Sequence, residues 1–422
     1  MSQQPNIIVV GASARAAAFS ALRAGMRPYA IDLFADCDLA DVCPAVKIKR
    51  YPDDFEQELA KAPQAPWIYT GGLENHPDLV ERMSALRPLY GNGADVLRKI
   101  RNPELLAACL SQADSNFEVP EIRTSPPPPG SKKKWLRKPK RSSAGLGIRI
   151  AEAAERPRAE ENFYYQQHVS GVGTSAVFLA NQKSSELLTP LESPDPSAKA
   201  FVVNRACEFL GVTEQQSGVA DLPEEPFLYA GSAIIGRRLD VDEDYGEWLE
   251  ELGELLTRAF GLRGLFNLDL VGDYWLLEVN PRYSASVEVL EHCGGKNLLA
   301  MHFAAFDPSF QGENNCWVPK RPSHVAKRIV YATGDCLVTP ELHRLRKAWN
   351  VERLLPSLAD VPHLGDRILR CQPVATVIAE GCSDDEVQSL LNERVTAVRQ
   401  TLVPEKENDL TRRRGGTEEE VR

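Results

Sequence analysis

The stretch Gly264–Arg282, GLFNLDLVGDYWLLEVNPR, limits the possible folds more than any other part of the chain. Phe266–Val271 alternates apolar and polar side chains, Tyr274–Val279 does so more loosely, and only Gly272-Asp273 separates the two runs. Glycine at the first position of a two-residue loop suits a type II′ turn, so the stretch predicts a tight β-hairpin. That loop sets Val271 opposite Tyr274, Asp269 opposite Leu276 and Asn267 opposite Glu278. One face then carries Phe266, Leu268, Leu270, Trp275, Leu277 and Val279. The other carries Asn267, Asp269 and Glu278, with Asn280 just beyond the strand. Asp269 and Glu278 become diagonal neighbours, roughly 7–8 Å apart at the backbone. Two carboxylates converging there repel unless a cation stands between them, and oxygen ligands of this kind favour magnesium completed by substrate phosphates. A surface hairpin with a polar outer face is the competing reading.

A chain of 422 residues predicts two or three domains with ample core. Hydrophobic content of 43% and charged content of 26% are those of a globular protein. The net charge of −10 argues against nucleic acid as the main partner, because a phosphate backbone demands a basic surface. The nine cysteines are scattered without a C-x-x-C pair, which fits reduced thiols better than a disulfide frame or a zinc site. No apolar run approaches the roughly 18–20 residues of a membrane span, and the N-terminus lacks a charged region followed by an apolar signal core. A cytoplasmic location without membrane contact is the expectation, and a homo-oligomer is left open.

Asn6–Val10 is a continuous apolar run followed by Gly11-Ala-Ser and an alanine-rich segment, and Tyr29–Asp32 is a second strand ending in an acid. This reads as the opening of a doubly wound α/β layer. Of the dinucleotide fingerprint G-x-G-x-x-G only Gly11 is present, so Asp32 reads as structural and not as a ribose ligand. Trp67–Gly72 reads as a strand running into a turn, Asn75-His76-Pro77 opens a helix, and a further helix spans about 95–111. Thr124–Ser131, with four consecutive prolines, is a loop. Trp135–Pro139 reads as a strand bearing Lys138, followed by the Ser/Gly loop Lys140–Gly147; such loops expose backbone amides that can fold over phosphates. Asn162–Gly171 is a further strand, in which His168 reads as a packed residue and not a ligand. Thr174–Leu179 is expected as its hairpin partner. Residues 181–199 read as a loop and Phe227–Ile235 as a strand. Trp248–Phe260 keeps helical spacing up to Gly261, Ser284–Ala305 is helix-rich with a break at Gly294-Gly295, and strands are expected at 326–332 and 373–378 before a helix at about 383–401.

Three features occur in one order: the lysine-bearing strand with its Ser/Gly loop, the Gln166-Gln167-His168-Val169 strand, and the acid-bearing hairpin closing in Glu278-Val-Asn-Pro-Arg282. In this the chain resembles the ATP-grasp superfamily, in particular carboligase-type members related to biotin carboxylase. The resemblance implies an α/β fold: a Rossmann-like domain at 1–94, a two-lobed ATP-grasp domain at 95–310 with α+β lobes at about 133–180 and 200–310, and a small C-terminal region at 320–402. Residues 403–422 are expected to be a disordered tail. It implies ATP and Mg²⁺ (or Mn²⁺) as cofactors. Lys138 would contact phosphates, and Ser142, Ser143, Gly145 and Gly147 would form the loop over the γ-phosphate. Gln166, with the backbone of Gln167 and Val169, would hold adenine. Asp269, Glu278 and Asn280 would bind metal, and Arg282 would join Lys138 as a catalytic cation. The family often places a basic residue at the start of the helix that opens the grasp region; here Asn102-Pro103 stand there, with Lys99 and Arg101 close by. It often carries an acid for the ribose after the hinge, where this chain has Gly173-Thr174.

Phosphoryl transfer needs positioning and charge neutralisation more than covalent work by the protein, and two carboxylates, a lysine and an arginine supply that. The expected activity is an ADP-forming ligase that joins a small carboxylate to an amine through an acyl-phosphate. Asp32–Leu39 resembles members associated with tetrahydromethanopterin- or methanofuran-dependent one-carbon metabolism. Bicarbonate as the carboxylate is a close variant. A degenerate nucleotide-binding regulatory module and a nicotinamide oxidoreductase are the competing classes.

Overall fold

The computed structural model describes residues 4–113, 117–152, 162–181, 205–237, 241–272, 274–310, 324–351 and 354–404. Of the loop expected at 181–199, residues 182–199 lie outside the described residues, as does the tail expected at 403–422 from 405 onward; Val403 and Pro404, at its start, pair as a strand and are not disordered.

Strands β1 (Ile7–Gly11), β2 (Pro28–Asp32), β3 (Ala45–Lys47) and β4 (Trp67–Tyr69) form a parallel sheet in the order β3-β2-β1-β4. A parallel sheet covered on both faces requires continuous apolar strands, and all five residues of β1 are buried. Helices α1 (Arg15–Arg23), α2 (Cys37–Ala40), α3 (Asp54–Lys61) and α4 (Pro77–Leu86) complete the layer. The Asp32 carboxylate accepts from the amides of Ala14, Phe34 and Ala35 and is buried. It closes the turn after β1, as a structural acid would. The helix expected at about 95–111 is two: α5 (Ala94–Ile100) and α6 (Pro103–Gln112). Pro103 cannot continue α5, and Asn102 caps α6 by accepting from the amides of Glu104 and Leu105.

A small antiparallel sheet follows, of β5 (Ile122–Arg123), β6 (Trp135–Pro139), β7 (Arg149–Ile150) and β8 (Phe163–Gln167), in the order β5-β8-β6-β7. The next strands are β9 (Gly173–Ala180), β10 (Cys207–Ser217), β11 (Tyr229–Arg237), β12 (Gly264–Val271) and β13 (Trp275–Asn280), with helices α7 (Glu243–Phe260), α8 (Ala285–Gly294) and α9 (Leu298–Phe306). The C-terminal part adds β14 (His324–Tyr331), β15 (Cys336–Leu337), α10 (Pro340–Trp349), β16 (Leu358–Ala359), β17 (Arg367–Ile368), β18 (Pro373–Gly381), α11 (Asp384–Gln400) and β19 (Val403–Pro404). One antiparallel sheet of eight strands, β13-β12-β9-β10-β11-β14-β18-β16, runs through both groups, and β17-β15-β19 form a small third antiparallel sheet.

The expected pairing of Thr174–Leu179 with the strand before it is overturned. β8 has both edges taken by β5 and β6, and β9 lies between β12 and β10 in the large sheet. Its residues from Thr174 to Ala180 are buried, as an interior strand requires. Successive side chains of β9 and β12 point to opposite faces. Ala176, Phe178, Phe266 and Leu268 meet Leu249, Leu252 and Leu256 of α7. On the other face Val177, Leu179 and Leu265 pack with Val287, Leu290 and Leu299 of α8 and α9 and with the alanines of α1. Further along that same face the strands switch to Ser175, Asn267 and Asp269. The sheet is therefore apolar where helices cover it and polar where it lines the cleft.

Among the described residues no helix is long and apolar enough to cross a membrane. None of the eight cysteines among them forms a disulfide.

Candidate active site

The hairpin forms, but its register differs from the expected one. Val271 pairs with Trp275 and Leu270 with Leu276, a bulge follows, and then Asp269 pairs with Glu278, Leu268 with Val279 and Asn267 with Asn280. The bulge absorbs Leu277, so Leu276 is the residue that enters the core beside Leu268 and Leu270. Asp269 and Glu278 are direct cross-strand partners instead of diagonal ones, which brings their side chains closer.

Asp269 accepts from Gln215 Nε2 (2.9 Å), Asn267 Nδ2 (2.9 Å) and Asn280 Nδ2 (2.8 Å). The Asn280 amide also lies 3.4 Å from Glu278 Oε1. Burial, together with the charge of Glu278, pushes the Asp269 carboxyl up to about 7. Burial acts in the same sense on Glu278, but Arg101 and Lys138 outweigh it and hold that carboxyl down at about 2. Two neighbouring carboxyls driven in opposite directions titrate as a coupled pair.

Three cations surround the pair. Lys138, buried on β6, donates to Gln166 Oε1 at 3.0 Å. Burial opposes its charge, but Tyr164 and Glu278 outweigh that and keep the ammonium group charged. Arg282 lies just past β13 and donates to Glu74 Oε1 from Nε (3.0 Å) and Nη2 (2.7 Å), and to Asn280 Oδ1 at 3.2 Å. Arg101, at the junction of α5 and α6, has Nη1 3.3 Å from Glu278 Oε2. It also donates to the Val279 carbonyl at 3.2 Å and to Asn75 Oδ1 at 3.0 Å. Lys99 is exposed.

The Ser/Gly loop lies beside this group. The Ser142 carbonyl accepts from Asn75 Nδ2 at 2.9 Å, Ser142 Oγ bonds the Leu146 carbonyl, and the Ser143 carbonyl accepts from the Leu146 amide. Gly145 has φ +76°, and a Cβ there would sit 1.9 Å from the Phe227 carbonyl oxygen, so only glycine fits. The Gly147 amide donates to Glu225 at 3.1 Å. Gln166, buried on β8, also reaches the Leu277 carbonyl at 3.5 Å. The Gln167 amide donates to the Glu121 carbonyl at 2.8 Å. Val169 is half-buried at the end of this strand. His168 lies edge-on to Phe227, in the packed setting expected of it.

The structure thus brings Lys138, Gln166, Asp269, Glu278, Asn280 and Arg282 into one cleft, with the Ser142–Gly147 loop at its rim. Sequence reasoning missed Glu74, which is buried and tied to Arg282 across 208 residues of sequence. It also missed that Arg101 supplies a cation where Asn102-Pro103 seemed to leave none. The only sequence signal for either was an unpaired charge close to a turn, which many surface residues share.

The donor set suits a hard divalent cation. The Asn280 NH₂ sits between two carboxylates, as a neutral stand-in for a cation, and the Asn267 Oδ1 beside them is buried without a partner. Among the described residues no group of three or more His, Cys, Asp or Glu side chains could hold a metal by itself. Two carboxylates and amide oxygens would hold such an ion, with ligand oxygens completing its shell.

A family model described as the ATP-grasp domain matches residues 105–286. No curated protein matches at a significant level. Among solved structures, the L-amino acid ligase from Bacillus licheniformis superposes with a TM-score of 0.62 at 13% identity, over 96% of this chain and 100% of that one. The carboxyaminoimidazole ribonucleotide synthase from Aspergillus clavatus, solved with ATP, gives 0.60 at 12% identity over 94% and 99%. The biotin carboxylase domain of the Hydrogenobacter thermophilus 2-oxoglutarate carboxylase gives 0.56 at 12% identity over 95% and 91%. At such identities the agreement is one of fold. Residues 105–286 thus match an ATP-grasp domain, and the chain as a whole shares the fold of these structures.

Proposed function

We propose that this chain is an ATP-dependent, ADP-forming ligase that activates a small carboxylate as its acyl-phosphate for attack by an amine. The observation that carries this reading is the facing pair Asp269 and Glu278, ringed by Lys138, Arg101 and Arg282. Two half-buried carboxylates set face to face are a cost to the fold unless a cation and an anionic ligand join them. The ATP-bound and MgADP-bound forms of the structural neighbours supply the ligand chemistry by analogy.

Under this reading Lys138 takes phosphate oxygens, the Ser142–Gly147 loop covers the terminal phosphate, and Gln166 with the backbone near Gln167 and Val169 receives the base. Asp269, Glu278 and Asn280 would hold Mg²⁺ (or Mn²⁺), which neutralises charge on phosphate oxygens when bound. Arg282 steadies the carboxylate as its oxygen forms a bond to the γ-phosphorus and the bond from that phosphorus to ADP breaks. The amine nitrogen then bonds to the acyl carbon, phosphate leaves, and the nitrogen gives up its proton. Residues 1–94 would present substrate, 95–310 would hold nucleotide, and 320–402 would close the cleft.

The test is ADP release by the full chain against a panel of carboxylates paired with amines, with bicarbonate included. Turnover that needs both a carboxylate and an amine, and that disappears in Glu278→Gln, supports the assignment. Mg·ATP binding without turnover on any pair would favour a regulatory nucleotide-binding module, and absence of Mg·ATP binding would end the proposal.

A further inference from the structure

The short helical turn Leu73–Asn75, after β4, reaches from the first sheet into the cleft and touches three parts of it. Gly72 makes the approach possible: its φ is +103°, and a Cβ there would lie 2.1 Å from the Tyr51 hydroxyl. Glu74 takes Arg282, as described. Asn75 is buried, and both ends of its amide are used: Oδ1 accepts from Arg101 Nη2 at 3.0 Å, and Nδ2 donates to the Ser142 carbonyl at 2.9 Å. The two partners fix which end is which, because an arginine can only donate and a carbonyl can only accept. Arg101 in turn meets Glu278. A chain of contacts therefore runs from the acid pair through Arg101 and Asn75 to the Ser/Gly loop, and its central member belongs to neither lobe of the grasp.

We propose that Asn75 is a positioning residue that ties closure of the Ser142–Gly147 loop to the placement of Arg101 on Glu278. The inference rests on the nucleotide reading above for its purpose, but its geometry stands apart from it. Occupation of the acid pair and closure of the loop are then linked through one side-chain amide, and the first sheet takes part in nucleotide capture without touching the nucleotide. Arg282, held by Glu74 on the same turn, is placed by the same segment.

Asn75→Asp separates the two bonds: its carboxylate still accepts from Arg101 but has no hydrogen to give the Ser142 carbonyl. Asn75→Ala removes both. Trypsin cleavage after Lys140 and Arg141, followed by mass spectrometry on the full chain, reads the loop directly. Cleavage there is expected to accelerate about tenfold in both variants, the equivalent of one hydrogen bond, with cleavage elsewhere unchanged. Affinity for Mg²⁺ with a non-hydrolysable ATP analogue should fall about tenfold in Asn75→Asp and further in Asn75→Ala. If the unaltered protein binds the analogue while Asn75→Asp shows unchanged cleavage and affinity, the positioning role is wrong and the nucleotide reading survives. If the unaltered protein does not bind the analogue, the nucleotide reading fails, and cleavage without nucleotide still decides whether Asn75 holds the loop.

Discussion

Asp269→Asn should make the unliganded protein more stable while abolishing its response to Mg·nucleotide. Burial and the charge of Glu278 raise the Asp269 carboxyl from an ordinary 3.8 to about 7. A folded-state pKa above the unfolded value means that the contribution of this group is intact below about pH 4 and is lost as pH rises towards 7. Above that pH the ionised side chain costs the fold roughly 4 kcal/mol at most, at about 1.36 kcal/mol for each pH unit. Asparagine has nearly the same shape and keeps one acceptor for Gln215 and Asn267, but it meets the Asn280 NH₂ with an NH₂ of its own. The lost hydrogen bond offsets about 1 kcal/mol. Relaxation around a buried charge removes a further share, which leaves a net gain of roughly 1–3 kcal/mol at pH 8.

Thermal unfolding of both proteins from pH 4.5 to pH 8.5, each with and without Mg²⁺ and a non-hydrolysable ATP analogue, measures both effects. The midpoint difference in favour of Asp269→Asn should be absent near pH 4.5 and grow towards pH 8. The stabilisation that Mg·nucleotide gives the unaltered protein by mass action should be missing from the variant. A variant less stable than its parent at pH 8 would show that the two carboxylates do not oppose one another in the fold. A variant still stabilised by Mg·nucleotide would show that Asp269 is not a ligand.

Lys138→Ala should weaken nucleotide binding by roughly ten- to a hundredfold in calorimetry while leaving the fold intact, because it removes a buried charge-assisted donor. Gly145→Ala puts a Cβ where the Phe227 carbonyl stands and adds left-handed strain of roughly 1–2 kcal/mol, so the loop should leave its seat. Trypsin cleavage after Arg141 should quicken, with little change in the unfolding midpoint. Burial holds the His302 ring at about 4, and its Nδ1 accepts from the Leu265 amide. A folded-state pKa below the ordinary 6.5 means that stability falls as pH drops from about 6.5 to 4, by roughly 3 kcal/mol for this ring. His302→Gln should flatten that part of the stability profile, and an unchanged slope would refute the assignment.

Much of the scaffold was legible because it follows local rules. The apolar run of β1, the turn between Gly11 and α1, and the polar face of the hairpin each depend on neighbours a few residues apart. The hairpin register was not legible. Leu276 and Leu277 are both apolar, so either can fill the core position, and the bulge that selects Leu276 leaves no mark in the alternation. Thr174–Leu179 looked like the return strand of a hairpin because proximity in sequence favours such pairing. The edges of β8 were already filled by strands before it. The pairings of Arg101 and Glu74 were invisible for another reason: their partners Glu278 and Arg282 lie 177 and 208 residues away. Side chains at such separations meet only once the fold exists.

A second buried ionic cluster, which does not include the acid pair, joins the first helix, α8 and the C-terminal part. Arg15, at the start of α1, bonds Glu288 of α8 and Asp360 of the C-terminal part, and Lys327 of β14 lies 3.0 Å from the same Glu288. Arg15, Glu288 and Lys327 are almost fully buried. The charges of Arg15 and Lys327 outweigh burial and hold the Glu288 carboxyl well below the usual carboxylate range. An apolar set of equal volume would serve stability as well or better. Ion pairs, however, accept only one arrangement of the three segments, whereas an apolar contact tolerates sliding. Glu288 lies six residues beyond Arg282, so a shift of α8 that broke the cluster would also move the arginine. A site whose parts come from residues 74–75, 101, 138–147 and 269–282 depends on such fixed docking. This accounts for charges buried at a boundary where leucines would be the simpler choice.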